Sequence, residues 1–261
     1  MIVTLLTDFG LEDEYVGVVK GVILGINPSA RIVDICHQIP LGDVTRASWF
    51  LSWSWRYFPK GTVHLTVVDP GVGSHRQILC LRFQGHLFLA PDNGIFSQVL
   101  AGVKNPQLYA VQNRRYALRS ISHTFHGRDI FAPAAGYLSG GLASSRLGPR
   151  VRMFVRLASP GVTATQRRLV GQVIHLDRFG NAVTNLPRDH VRRLQQRGEV
   201  HARLKGRFLR GVQRSYDAVR KGKPVAIIGS HDLLEIAVNQ GSAARQLHLR
   251  IGDSIVLQTS V

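Results

Sequence analysis

The sequence contains little cysteine. Only Cys36 and Cys80 occur among its 261 residues, and neither belongs to a CxxC pair or has a histidine at metal-ligand spacing. A disulfide framework needs more cysteines, and a zinc module needs Cys and His pairs at short spacing. We therefore expect two buried free thiols, and the sequence excludes a disulfide scaffold and a zinc module.

Long apolar runs are also absent. No stretch reaches the roughly 18 apolar residues that a membrane-spanning helix requires. The chain starts MIVTLLTDFG and reaches an acid at Asp8 with no basic residue before it, which is unlike a secretory signal. With 44% hydrophobic residues, the composition is that of a globular protein of one or two domains. A cytoplasmic protein without membrane contact is the expectation.

Acidic residues are scarce. The chain has 16 Asp and Glu against 33 Lys and Arg, for a formal net charge of +17, and the segment 188–223 alone holds 12 basic and 3 acidic residues. This basic segment is either a solvated face or a surface that follows nucleic-acid phosphates. Neither an RNA-binding aromatic signature nor a helix-turn-helix pattern accompanies it, so sequence-specific recognition is poorly supported.

The N-terminal part alternates apolar strands with amphipathic helices. Strands are predicted at 2–6, 31–35 and 62–68, helices at 15–26, 43–58 and 130–138, and a hairpin of 78–83 with 86–90 around Gln84 and Gly85. This pattern is typical of an α/β fold. We predict a sandwich-like α/β domain over 1–157, with a mostly parallel sheet and some antiparallel addition.

The pattern changes after a polar stretch, LASPGVTATQ, that contains Pro and Gly. We predict a linker at 158–166 and a smaller all-β barrel domain at 167–261. Its strands are expected at 169–176, 182–185, 225–228, 234–238 and 255–257, with a hairpin turn at Gly252 and Asp253.

Aspartates follow several of the apolar runs. Asp8, Asp69, Asp92 and Asp177 each have a Gly, Pro or Asn within three positions, where an isolated Asp is most often a turn former. In open α/β sheets the carboxyl ends of the strands form the ligand crevice, so Asp8 and Asp69 are expected to face one site. The sequence has neither GxGxxG nor GxxxxGK[ST], and a nucleoside without phosphates fits better than a dinucleotide or a triphosphate.

A second polar cluster is the segment SHTFHGRD at 122–129. His126 within it is a candidate metal ligand, base or capped turn residue, and the residues alone leave these alternatives open. No HxH, HExxH or further Cys and His partner follows at ligand spacing, which disfavours a metal.

The motifs together carry a family resemblance. They are TDFG at 7–10, GTVHLTVVDPGVGS at 61–74, APDNG at 90–94, TFHGRD at 124–129, DRFGN at 177–181 and GSHDLLEIAVNQG at 229–241. In this order, between residue 2 and about residue 256, they resemble the S-adenosylmethionine hydroxide adenosyltransferase family, which also contains fluorinating and chlorinating enzymes. Each motif alone is weak, whereas the ordered set is specific.

The resemblance implies an enzyme with an N-terminal α/β domain and a C-terminal β-barrel domain. It implies a homotrimer that holds S-adenosyl-L-methionine at subunit interfaces, and hydrolysis of this substrate to adenosine and L-methionine without a cofactor or a metal. Water or hydroxide would attack C5′ of the ribose.

The resemblance also assigns residues. Asp69, Arg76 and His126 match the set that activates water, and Asp8 matches the ligand of the ribose hydroxyls. Asp177 and Asn181 match positions that hold the methionine part, to which we add Glu235 for its amino group. The other substrate-binding candidates are Asp13, Glu14, Tyr15, Phe125, Gly127, Phe179, Ser230, His231, Val238, Asn239 and Gln240, the last three around adenine.

A halogenase that uses chloride is the nearest competing interpretation. In the resemblance, halogenating members replace the Asp of the third strand end by a tyrosine-type residue and lose the His, whereas Asp69 and His126 are present here. The chain departs from the fluorinating enzymes at His231, where they have arginine, and at Gly42, where they have a bulky aromatic residue. A nucleic-acid-binding protein that uses the segment 188–223 is the alternative from another class.

Overall fold

A computed structural model describes residues 1–259. The chain folds into two compact units, Met1–Leu157 and Ala158–Val261, which are described separately below. Within residues 1–259, no helix has the length and apolar character needed to cross a membrane.

The first unit contains three α-helices and seven strands. The strands are β1 (Ile2–Thr7), β2 (Arg31–Cys36), β3 (Val63–Val67), β4 (Ile78–Phe83), β5 (His86–Pro91), β6 (Gln107–Ala110) and β7 (Arg150–Val151). The helices are α1 (Tyr15–Ile26), α2 (Val44–Ser54) and α3 (Ala132–Ser139).

These strands form one mixed sheet in the order β2-β1-β3-β5-β4-β6-β7. The pairs β1–β2, β1–β3 and β3–β5 are parallel, and the pairs β4–β5, β4–β6 and β6–β7 are antiparallel. The prediction of a mostly parallel sheet was therefore wrong. The tight turn at Gln84 and Gly85, both with positive φ, pairs β4 with β5 in antiparallel orientation. Strands β6 and β7 then add two further antiparallel pairs.

Both faces of this sheet are covered. Val3 and Leu5 of β1 pack in one core with Ile23 of α1 and Leu138 of α3, whereas Leu6 packs in a second core with α2. Successive strand residues point to opposite faces, so an apolar strand such as β1 requires helices on both sides. The result is the three-layer arrangement that the alternating pattern predicted.

Two helices begin or end at residues other than those predicted. Asp43 caps α2 by accepting a hydrogen bond from the Arg46 amide (2.9 Å), but the helix ends at Ser54 rather than at residue 58, and a single 3₁₀ turn follows it. The helix predicted at 130–138 is a π-helical turn over Gly127–Phe131 that continues into α3.

Between residues 158 and 259, the second unit contains eight strands and two short helices. The strands are β8 (Thr163–Ala164), β9 (Arg168–Leu176), β10 (Ala182–Pro187), β11 (Val200–Leu204), β12 (Arg207–Arg210), β13 (Pro224–Ile228), β14 (Leu233–Val238) and β15 (Ser254–Thr259). The helices are α4 (Arg188–Gln195) and α5 (Ala243–Gln246).

The second sheet is antiparallel and runs in the order β12-β11-β15-β9-β10-β14-β13, with β8 beside β9. Its two ends approach each other, because the amide of Gln213 after β12 donates to the carbonyl of Ala226 in β13 (2.7 Å). This nearly closed sheet resembles a barrel around one apolar core.

Several details of the second unit differ from the sequence prediction. The unit is not all-β, because α4 buries Val191 and Leu194 against the sheet. Strand β8 lies within the predicted linker. Gly252 lies in the turn before β15 but joins no hairpin, since irregular chain precedes it.

Candidate active site

A cavity of about 530 Å³ opens at the carboxyl ends of β1 and β3 in the first unit. Asp8 follows β1 and Asp69 follows β3, and because the two strands are parallel neighbours, both carboxylates reach the same cavity. The remaining lining residues are Phe9, Tyr15, Leu41, Gly42, Val67, Pro70, Val72, Thr124, Phe125, His126 and Gly127. The cavity is therefore mostly apolar, with a few convergent polar groups.

Asp69, Arg76 and His126 form one hydrogen-bonded cluster at this cavity. The Arg76 Nε donates to both carboxylate oxygens of Asp69 (2.8 and 2.9 Å), and Nη2 donates to Oδ2 as well. The same Nη2 lies 2.9 Å from His126 Nδ1. The side chains of Asp69 and Arg76 are only 5% and 10% exposed. The Arg76 guanidinium thus connects the Asp69 carboxylate with the His126 imidazole, and the first two groups are largely shielded from solvent.

This contact determines the tautomer of His126. Arginine offers only donors, so Nδ1 must accept and the proton of the neutral imidazole lies on Nε2. Burial lowers the pKa of His126, and the neighbouring Arg76 charge lowers it further. The imidazole is therefore neutral at pH 7, and its Nε2 is a donor.

A backbone hydrogen bond holds the Asp8 carboxylate in place. Its Oδ2 accepts a hydrogen bond from the amide of Gly42 (2.9 Å), a residue with a φ of +71°. Burial raises the pKa of Asp8, the Gly42 amide lowers it and the nearby Asp69 charge raises it. One carboxylate oxygen is anchored, so the carboxyl group keeps a fixed direction.

Three aromatic rings form one side of the cavity. The ring of Phe125 lies 5.1 Å from that of Tyr15 and 5.9 Å from that of Phe9, both edge to face. A Cβ on Gly127 would lie 3.1 Å from Phe125 and 3.2 Å from Phe9. Gly127 therefore leaves room for both rings.

The loop that carries His126 depends on Asp129. This carboxylate is fully buried and accepts hydrogen bonds from the Ser122 amide and hydroxyl (2.8 and 2.7 Å) and from Arg128. Its partners lower its pKa although burial raises it. Single π-helical turns occur often at functional sites, and this one begins one residue after His126.

In the second unit, Asp177 and Asn181 form a closed turn after β9. Asp177 Oδ1 accepts from the Asn181 amide (2.8 Å) and Oδ2 accepts from its side-chain Nδ2 (2.9 Å). A Cβ on Gly180 within this turn would overlap Ser242, so glycine is required there. The turn fixes the Asp177 carboxylate at one end of the sheet.

Glu235 is a buried acid near Asp177. Its Oε1 accepts a hydrogen bond from the hydroxyl of Tyr216 (2.8 Å). Burial raises the pKa of Glu235 and the charge of Asp177 raises it as well, whereas the Tyr216 hydrogen bond lowers it. Burial also raises the pKa of the Tyr216 hydroxyl. Two carboxyl groups this close favour a cationic ligand.

The other predicted residues differ in their exposure, and several of them do not line the cavity. Asp13 and Glu14 are exposed and do not line the cavity, and Phe179 is 77% exposed. Ser230 and His231 are exposed on the turn between β13 and β14, and the pKa of His231 is lowered, because partial burial lowers it more than the charge of Asp177 raises it.

The predicted adenine segment follows β14. Val238 is 3% exposed and belongs to the core of the second unit. The Asn239 side chain donates to the carbonyl of Val219 (2.7 Å), and Gln240 is exposed with a φ of +52°. This segment offers mainly backbone groups to a ligand.

Sequence reasoning missed several residues of these groups. Phe9, Leu41 and Val72 line the cavity but were not predicted as site residues, although Phe9 and Val72 stand within the motifs at 7–10 and 61–74. Tyr216 was also missed, because it lies 19 positions before Glu235 in the sequence and only the fold brings the two together. Gly42 was noted only because it differs from the aromatic residue of the fluorinating enzymes. Its position directly before Asp43, the cap of α2, could have indicated a structural role.

The two cysteines are free, and Cys80 is buried as predicted whereas Cys36 is only half-buried. In the part of the chain that the structure describes, no three His, Cys, Asp or Glu residues are grouped so that they could hold a metal ion.

Models of known families match both units. The model for the SAM hydroxide adenosyltransferase N-terminal domain matches residues 3–148, and the model for the C-terminal domain of the same family matches residues 171–256. The chain belongs to the SAM hydroxide adenosyltransferase family. The resemblance noted in the sequence is thereby confirmed.

Similar proteins agree with this membership. A protein of Thermus thermophilus named (R)-S-adenosyl-L-methionine hydrolase is 39% identical over 96% of each chain. A fluorinase of Nocardia brasiliensis is 26% identical over 97% of this chain and 95% of its own. A crystal structure of an uncharacterized conserved protein from Thermotoga maritima superposes with a TM-score of 0.92 at 36% identity, covering 99% of this chain and all of the other.

Proposed function

We propose that this member of the family is an S-adenosylmethionine hydrolase that forms adenosine and L-methionine without a separate cofactor. The observation that carries the proposal is the Asp69–Arg76–His126 cluster at an aromatic-lined cavity. The named hydrolase of Thermus thermophilus, at higher identity than the fluorinase, supports water over halide.

The chemistry requires a nucleophile but no general acid. The oxygen of water forms a bond to C5′ of the ribose while the bond from C5′ to sulfur breaks, and the electron pair of that bond stays on sulfur. The leaving group is the neutral thioether of methionine, which takes no proton. The enzyme therefore has to orient the water, remove one proton from it and hold it in line with the bond that breaks.

Asp69 suits the role of base for this water. Both of its oxygens accept from Arg76, which fixes their direction, and Oδ1, which accepts only once, keeps a lone pair for a hydrogen bond from water. The Arg76 guanidinium beside it favours the hydroxide that forms. His126 holds Arg76 through Nδ1 and is a donor at Nε2, so it acts as an orienting residue.

The remaining assignments concern the substrate. Asp8, with one oxygen anchored by Gly42, is suited to accept from the ribose hydroxyls through the other. Asp177 and Glu235 provide negative charge for the methionine ammonium group, and Asn181 holds Asp177 in place. Backbone groups of 238–240 are assigned to adenine. Asp13, Glu14, Tyr15, Phe125, Gly127, Phe179, Ser230 and His231 remain proposed contacts of the substrate.

Two further proposals rest on the family resemblance: the protein forms a homotrimer, and it is located in the cytoplasm. Light scattering of the purified protein tests the first, since a trimer has three times the mass of the 28.9 kDa chain. Fractionation of cells tests the second.

Product analysis tests the activity. Purified protein is incubated with S-adenosylmethionine in chloride-free buffer and again with chloride, and the products are separated by chromatography. Adenosine and methionine in equal amounts, unaffected by chloride, are expected. A chlorinated nucleoside would instead make the protein a halogenase, and the absence of any turnover would refute both activities.

A further inference from the structure

Four strands of the second unit present a continuous outer face that the proposed reaction does not use. Alternate residues of β12, β11, β15 and β9 are buried, and the residues between them face outward. The strand register places the outward residues in two rows, Arg210–His201–Gln258–Arg168 and Phe208–Arg203–Val256–Val170. We call these eight residues the outer sheet face.

The outer sheet face carries two rings, of which Phe208 is exposed and His201 is half-buried. Phe208 is 53% exposed although it is a large apolar side chain. Its ring lies 4.7 Å from the ring of His201 and is tilted against it by 32°. The hairpin of β11 and β12 therefore places two rings side by side on one surface, although they belong to no linear motif.

The same face carries positive charge that the protein does not neutralise. Arg168 and Arg203 take part in no ion pair within residues 1–259, whereas Arg210 is paired with Glu199 (2.7 Å). Adjacent strands are about 4.8 Å apart, so Arg203 lies one strand from the Phe208 ring. Guanidinium groups are thus interleaved with the rings.

The positive surface continues onto helix α4. Arg193 of α4 and Arg197, in the turn that follows this helix, line a cavity of about 180 Å³ together with residues 164–166, which lie one residue before β9. Arg197 donates to the carbonyl of Gln166 (3.0 Å), two residues before Arg168. The end of α4 is therefore joined to the edge of the outer sheet face.

We propose that the outer sheet face, with this end of α4, binds single-stranded nucleic acid without sequence preference. Bases stack on exposed aromatic rings, and arginines beside the rings bind the phosphates; this combination defines general single-strand sites. In a duplex the bases are stacked within the helix, so the faces that Phe208 needs are not available. Charge alone would attract any polyanion, and the paired rings are the feature that selects an unpaired strand.

Binding is tested by fluorescence anisotropy with the full chain. The probe is a labelled oligothymidine of about 16 nucleotides, compared with a duplex of equal length and with phosphatidylserine vesicles at about 0.15 M salt. We expect the single strand to bind most tightly. Phe208→Ala should weaken this binding about 10-fold, and Phe208→Tyr, which keeps a ring, should retain it.

The double variant Arg168→Ala/Arg203→Ala tests the charge. The slope of log affinity against log salt should fall by about 0.7 for each phosphate contact that is lost. The matched control, Arg119→Ala/Arg152→Ala, removes the same charge from exposed positions of the first unit and should leave the slope unchanged. Hydrolysis of S-adenosylmethionine by all these variants should equal that of the unchanged protein, which shows that they fold.

Three results would overturn the proposal. The first is no binding of the single strand at about 0.15 M salt. The second is equal binding of single strand and duplex that Phe208→Ala leaves unchanged. The third is a preference for the vesicles, which would make the face a membrane-binding surface instead.

Discussion

At the scale of single residues, Arg76 is the centre of the proposed chemistry. It donates to the Asp69 carboxylate and to His126 Nδ1, so one side chain fixes the direction of the base and the tautomer of the imidazole. The three residues act as one unit, and the effects of replacing them are not expected to add.

Asp69→Asn tests the proposed base. The amide cannot accept the proton of water, and kcat should fall by about 10²- to 10⁴-fold while KM changes little. Asp43→Asn is the matched control, because it makes the same change of charge at a helix cap that asparagine serves equally well. Steady-state turnover of S-adenosylmethionine measures both, and an unchanged kcat in Asp69→Asn would remove Asp69 from the mechanism.

Tyr216→Phe tests the role of Glu235 in holding the substrate ammonium group. Loss of the hydroxyl donor raises the pKa of Glu235 further, so more of this acid is protonated and uncharged as the pH falls. We expect KM to rise towards low pH more steeply than in the unchanged protein, with kcat preserved. Tyr57→Phe, at an exposed position, is the control. Identical pH profiles of KM for Tyr216→Phe and the unchanged protein would contradict the assignment.

At the scale of elements, the π-helical turn over Gly127–Phe131 and the aromatic rings beside it shape the cavity. Gly127→Ala places a methyl group against Phe125 and Phe9, and both rings must move. KM should increase severalfold without loss of fold. Gly21→Ala lies in open space on α1, where alanine is the better helix former, and it should keep KM and raise stability by about 1 kcal/mol. Equal KM values for both variants would show that the rings do not contact the substrate.

A buried row of polar residues crosses strands β1, β3 and β5. Thr4 Oγ1 lies 2.9 Å from His64 Nδ1, and His64 Nε2 lies 3.2 Å from His86 Nδ1. Burial lowers the pKa of His64 from 6.5 to about 3. Below pH 6.5 the unfolded chain takes up a proton at this residue that the folded chain does not, so folding stability is lost as the pH falls towards 3.

His64→Phe should remove this part of the pH dependence. We expect its free energy of unfolding to fall less steeply than that of the unchanged protein between pH 6.5 and 4, by up to about 1.4 kcal/mol per pH unit. His75→Gln, at an exposed position, is the control and should follow the unchanged protein. Urea denaturation at several pH values measures this, and parallel curves for His64→Phe and the unchanged protein would contradict the account.

Elements also show how far the sequence predicts the structure. Strands such as β1 and helices such as α1 were predicted because their local pattern already specifies them. The proportion of antiparallel strand pairs was not predicted, because strand pairing depends on segments that are distant in the sequence. Strands β11 and β12 were missed because Arg203, Arg207 and Arg210 interrupt their apolar pattern. Asp8 and Asp69 could be placed together from strand order alone, whereas the Tyr216–Glu235 contact could not.

At the scale of the whole molecule, the positive charge is distributed over both units. The residues 1–157 contain 16 basic and 9 acidic residues, and the residues 158–261 contain 17 and 7. The proposed hydrolysis uses only Arg76 of these cations, and its substrate carries a positive sulfonium. The proposed residue roles therefore leave most of this charge unused, and the proposed binding of single strands by the outer sheet face would use part of it in the second unit.

Hydrolysis in H₂¹⁸O tests the central claim most directly. Attack of water at C5′ forms a new C–O bond there, so mass spectrometry should find one ¹⁸O in the 5′-hydroxyl of adenosine and none in methionine. The result should be the same with or without chloride. Unlabelled adenosine, label in methionine or a chlorinated nucleoside would each contradict the proposed reaction.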